Sequence, residues 1–143
     1  MLIDEHRDIV VAVGETGLDR HYLSEDSAQR AKEISEQYYW FERLARVGKD
    51  YSLPLVIHSR DARQETIDAI KKFEIRSAVI HCFSENYGFA KELMEYSDGI
   101  FFSFSGILTY PNAPEIRDAA SKIPLDRILV ETDAPFLSPQ AVR

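Results

Sequence analysis

Four residues able to bind a metal each stand where a short apolar run stops: Glu15 after VVAVG, His58 after PLVI, His81 after AVI, and Asp133 at the end of LVETD. Imidazole and carboxylate are donors for magnesium, manganese or zinc, and a carboxylate is able to bridge two ions. One histidine ending a buried run is more simply a core side chain satisfied by hydrogen bonds. Two of them at the same place in successive units, with acids at equivalent places, favour a metal centre. Parallel α/β hydrolases gather their ligands in this way, at the carboxyl ends of successive strands. The chemistry such a set supports is hydrolysis by metal-activated water.

The surrounding polar residues read less specifically. Asp133 has a second reading as a helix N-cap after its strand. Arg60, two residues past His58, is suited either to a phosphate or to pairing with Glu131. Glu131 shares a strand face with Asp133 but lies deeper, so it is expected to support a ligand rather than be one. Asp19 is expected to cap or orient the loop after Glu15, and Cys82 to face away from His81 as a core thiol. His6 and His21 lie outside strand ends and are expected to be solvated. The cluster Tyr38, Tyr39, Trp40 and Phe41 reads as helix packing.

Placing four ligands at strand ends requires strands and returning helices. The β-branched run at 9–14 predicts a first strand, and apolar positions Ile34, Tyr38, Phe41, Leu44, Ala45 and Tyr51 predict an amphipathic helix within 24–51. PLVIHS from Pro54 predicts the second strand, followed by helical spacing from Asp61 to Phe73. SAVIHCFS at 77–84 is the third strand, a short helix follows through Phe89, Leu93 and Met94, and GIFFSFSG at 99–106 is the fourth. A loop at Pro111 to Pro114 and a short helix lead to RILVETD, the fifth. Strands apolar on both faces and separated by helices predict a parallel sheet of right-handed βαβ units. The intervals, 23 residues from His58 to His81 and 52 from His81 to Asp133, suit a barrel-like progression with one strand between the last two ligands.

Composition narrows the function classes. With 45% hydrophobic and 29% charged residues the chain reads as one globular domain. Its formal net charge of -7 argues against gripping nucleic acid through a broad basic surface, although metals in a pocket supply positive charge locally. No apolar run approaches the ~20 residues of a membrane span. The charged amino-terminal stretch reads as no export signal, and the single cysteine agrees with a reducing cytoplasm.

GETGLD (14–19), PLVIHSRDA (54–62), VIHCFS (79–84), FSFSG (102–106) and IPLDRILVETDAPFLSP (123–139) together resemble the TatD family of metal-dependent hydrolases and DNases. The resemblance covers nearly the whole chain, with five motifs in family order. It implies a TIM barrel holding one or two divalent ions (Mg, Mn or Zn) and cleaving phosphodiester bonds in DNA as a 3'-5' exonuclease or DNase. Within that resemblance Glu15 bridges two metals, His58 and His81 bind the second, and Asp133 binds the first and accepts the proton of the attacking water. The run Arg20 to Tyr22 departs from the aromatic pair common after GLD in the family.

The family's opening Asp-x-His-x-His strand has no counterpart here, and the five strands match its third to seventh. A complete (β/α)8 barrel takes ~250 residues. The expected architecture is therefore α/β, a partial TIM barrel of about five βα units, with residues 1–143 forming one hydrolase domain shortened at both ends. Such a segment is expected to expose two sheet edges, to self-associate through them, to bind at most one metal well, and to have little nuclease activity. The alternatives are a metal-dependent ester or amide hydrolase, such as an aminoacyl-tRNA deacylase, and an inactive module that folds only with a partner.

Overall fold

The computed structural model describes residues 2–142. Five strands, β1 (Val13–Asp19), β2 (Leu55–Arg60), β3 (Ser77–Ile80), β4 (Gly99–Phe104) and β5 (Ile128–Val130), form one parallel sheet in the order β1-β2-β3-β4-β5. Consecutive order with right-handed crossovers sends each helix to the same side of the sheet, as in successive units of a barrel. Those helices are α2 (Ser27–Tyr51), α3 (Arg63–Lys72), α4 (Tyr87–Tyr96) and α5 (Pro114–Lys122), after a single amino-terminal turn, α1 (Leu2–Glu5).

Local chemistry sets most helix ends. Asp26 caps α2 by accepting the Gln29 N–H at 2.8 Å, and Ser52 closes it in the left-handed region at φ 53°. Asn86 caps α4 through the Phe89 N–H at 3.1 Å, and Pro114 occupies the first turn of α5, where its missing N–H costs nothing. The expected apolar stripe of α2 is its packed face, with Phe41 and Ala45 buried. Tyr39 and Trp40, however, are exposed, so only half of the aromatic cluster serves packing.

The sheet is buried on one face, not two. Along β2, Leu55, Ile57 and Ser59 are buried beneath the helices, while Val56, His58 and Arg60 are half-exposed on the opposite face. The core lies between sheet and helices: Ile57, Ile80, Ile100 and Phe102 meet Ile67, Ile70, Phe89 and Leu93 there. Phe83 is its centre, with the rings of Phe104, Phe102 and Phe89 at 5.2, 5.5 and 6.1 Å. A hydrogen bond between the buried hydroxyls of Ser59 and Thr66, 3.0 Å, joins β2 to α3.

The first strand differs most from expectation. Pairing begins at Val13, whose N–H donates to Pro54 O at 2.9 Å, slips between Val13 and Thr16, and continues to Asp19. The apolar residues Ile9 and Val11 lie before the sheet and are exposed. Glu15 is thus inside β1 rather than at its end. At the other edge β5 is three residues long, with Leu129 and Val130 exposed, and Arg127 belongs to the 3-10 turn before it. Among the described residues no helix is long and apolar enough to cross a membrane.

Candidate metal centre

Along β1 the residues alternate, so that Glu15, Gly17 and Asp19 share the half-exposed face with His58 of β2. His81 and Asp133 come to the same end of the sheet from the segments that follow β3 and β5. His81 is held by its own N–H on Ile57 O, 2.9 Å, and Glu131 by its N–H on Phe104 O, 3.1 Å. The four anticipated metal-binding positions therefore lie near one another, His58 within β2, His81 and Asp133 just past β3 and β5, and Glu15 within β1 beside His58. Glu15 Oε1 lies 3.2 Å from His58 Nδ1 and 3.9 Å from His81 Nε2, and Asp133 Oδ1 is 3.6 Å from His81 Nε2.

These separations resemble the roughly 3 to 3.6 Å between ligands that each sit about 2.1 Å from one ion. The donor set, two imidazoles and two carboxylates, fits a divalent cation in chemistry. The donors meet pairwise, however, with Glu15 directly against His58. Among the described residues no group of three or more His, Cys, Asp or Glu is disposed around a common point.

Each histidine is gripped on the ring nitrogen that faces away from Glu15. His58 Nε2 donates to Asp19 Oδ2 at 2.9 Å, and His81 Nδ1 donates to Glu131 Oε2 at 3.0 Å. A carboxylate accepts only, so a neutral ring held in this way carries its proton on the gripped nitrogen and turns Nδ1 of His58 and Nε2 of His81 toward Glu15. Glu131 thus takes the supporting place its depth on the strand suggests, and its other oxygen accepts the Cys82 N–H at 2.6 Å. Asp19 does more than orient the loop, although it also accepts the His21 N–H at 2.8 Å. Its role was legible in the four-residue interval from Glu15, which places both acids on one face of an extended strand. Reading the strand as ending at Glu15 hid it.

Arg60 does not pair with Glu131; its guanidinium lies 4.9 Å from the centre of the Tyr22 ring. Cys82 lies beyond β3 at φ 43°, half-buried, with Sγ 3.1 Å from Ser105 Oγ, so it is not a core thiol on the far face of a strand. Burial pushes that thiol up in pKa, and the carboxylates of Asp133, Glu131 and Glu15 add to the effect. Asp133 is followed by a turn in which its carbonyl accepts the Phe136 N–H at 2.7 Å, so it does not cap a helix. His6 and His21 are exposed, and His21 Nδ1 meets Asp61 Oδ2 at 2.8 Å.

Beside the ligands, a cavity of about 640 Å³ runs from Glu15, Asp19 and His58 to Glu33, Trp40 and Leu44 of α2. Glu33 is held below the usual carboxylate range by the Ser24 N–H and then by the Gln29 side chain.

The family model for TatD related DNase matches residues 2–143. The chain belongs to this family. It is 39% identical over 132 residues to the uncharacterized metal-dependent hydrolase YcfH of Escherichia coli K12, covering 91% of this chain and 46% of that protein. It is 38% identical over 134 residues to the human 3'-5' RNA nuclease TATDN2, covering 92% of this chain and 17% of that one. Among solved structures, YJJV, a TatD homolog from Escherichia coli K12, superposes with a TM-score of 0.83 at 30% identity, over 96% of this chain and 50% of the other. The chain therefore spans about half the length of the bacterial TatD relatives it matches, and its five strands with four returning helices have the TatD barrel's architecture.

Proposed function

We propose that this TatD-family chain is the ligand-bearing part of a divalent-metal-dependent phosphodiesterase that removes nucleotides from DNA in the 3'-5' direction. The observation that carries the reading is the meeting of Glu15, His58, His81 and Asp133 at one end of a parallel sheet. Hydrolytic family membership agrees with it, as does a relative named as a 3'-5' RNA nuclease. A divalent ion held by these residues would supply Lewis acidity there, acidifying water and offsetting charge on phosphate oxygens.

The protein's own part is to hold lone pairs and to move a proton. Asp19 and Glu131 grip one nitrogen of each ring, so that His58 turns Nδ1 and His81 turns Nε2 toward Glu15 as the nitrogens that would bind the ion. Glu15, between the two rings, supplies the carboxylate common to both. Asp133, partly open to solvent and 3.6 Å from His81, is the residue placed to accept a proton from water.

The test is hydrolysis of single-stranded DNA labelled at its 5' end, with Mn2+ or Mg2+ and with chelator. Slow shortening from the 3' end, in keeping with the little activity expected of a partial barrel, lost with chelator and lost in Asp133→Asn, is the expected result. Release of an aminoacyl ester without any cleavage of DNA or RNA would overturn the reading.

A further inference from the structure

The loop after β1 carries a feature that the metal centre does not use. Tyr22 is 79% exposed, yet its ring is held in place. The Arg60 guanidinium lies 4.9 Å from the ring centroid, and the His21 ring meets it edge-on at 4.6 Å and 89°. The loop beneath is pinned as well. The Arg20 N–H donates to Arg60 O at 2.9 Å, and the His21 N–H donates to Asp19 at 2.8 Å. The Arg20 side chain, 7% exposed, reaches Glu65 at 3.1 Å and Gln37 at 2.6 Å. A large aromatic ring so fixed, with most of its surface in water, contributes little to the core.

Its position ties it to the ligands. Arg60 stands two residues beyond His58 on the same face of β2, about 7 Å along the strand. Asp19 touches both the loop, at His21, and the His58 ring. Among the described residues no carboxylate pairs with Arg60, so its donors remain available to an anion. An open aromatic face over an unpaired guanidinium matches the two halves of a nucleotide, the base for the ring and the phosphate for the cation.

We propose that Tyr22, backed by Arg60, stacks a nucleobase of single-stranded nucleic acid beside the phosphate presented to the metal centre; this rests on the phosphodiesterase reading above. Only an unpaired base has a face free to stack, so the site selects single strands or frayed ends. Because the ring is already held, little ordering cost is added when a base arrives.

The test is fluorescence anisotropy of the purified chain with a 12-nucleotide phosphorothioate single-stranded DNA, and with the same strand made abasic at each of its last four 3' positions in turn. Tyr22→Ala is expected to weaken binding about 5- to 150-fold with an unchanged thermal melt, and Tyr22→Phe to retain binding. One abasic position is expected to weaken the wild type similarly and to add nothing in Tyr22→Ala. Wild-type-like binding by Tyr22→Ala, or abasic losses that add fully to that substitution, overturns the stacking role alone. Absence of wild-type binding to this DNA and to the matching RNA overturns the phosphodiesterase reading and the stacking with it.

Discussion

His81 donates its Nδ1–H to Glu131 Oε2 at 3.0 Å, which turns Nε2 toward Glu15 and Asp133. The same carboxylate accepts the Cys82 N–H through Oε1 at 2.6 Å. An amide has one accepting oxygen and one donating NH2, so Glu131→Gln cannot satisfy both donors. It is expected to lower Mn2+ affinity about 10- to 100-fold by calorimetry while the fold persists by circular dichroism. Unchanged affinity would remove Glu131 from the support of the site.

Asp19 holds His58 by the same logic, accepting from its Nε2 at 2.9 Å and from the His21 N–H at 2.8 Å. In Asp19→Asn the His58 ring should become a mixture of tautomers, read directly from imidazole 15N shifts. A ring still protonated only at Nε2 would show that another group sets it.

Gly17 sits at φ +150° opposite His58, and a Cβ added there would lie 1.9 Å from the His58 carbonyl oxygen. Backbone, not a flexible side chain, would have to move. Gly17→Ala is expected to cost about 1–3 kcal/mol in denaturant unfolding from the conformation alone, and to weaken metal binding because His58 is carried away with its strand.

Phe83 is fully buried among Phe89, Phe102 and Phe104. Phe83→Ala removes the common partner of three rings and is expected to cost about 3–5 kcal/mol, read as a lower denaturant midpoint. Phe83→Leu should lose less, because more of the volume stays filled.

Glu33 has a depressed folded-state pKa through the Ser24 N–H, so its contribution to stability is present above the unfolded pKa and fades as pH falls through the folded one. Glu33→Gln should therefore be less stable than wild type at neutral pH, and the two melting curves should converge as pH falls below the ordinary carboxylate range. A difference independent of pH would assign the effect to packing instead.

The distance between reading a strand and placing it is clearest at β1. The run IVVAVG is as apolar as β3, yet Ile9 and Val11 are exposed, while GETGLD, half polar, is the strand. Periodicity reports what a segment is able to bury, whereas pairing depends on what lies beside it. His58 and His81 were legible because an imidazole ending a buried run is anomalous on its own. The grips upon them were not, since Asp19 lies 39 residues before His58 and Glu131 lies 50 after His81.

The sequence alone determined the alternation of strand and helix and the four candidate donors beside apolar runs, because these rest on short-range patterns of burial and on the chemistry of single residue types. Tertiary structure decided the rest: the order of the strands, which face of the sheet the helices cover, where β1 begins, which ring nitrogen of each histidine faces Glu15, and that Arg60 lies against Tyr22 rather than Glu131. Each of these depends on residues brought within hydrogen-bond or ring-contact distance by strand register, and register is set by the packing of the whole sheet.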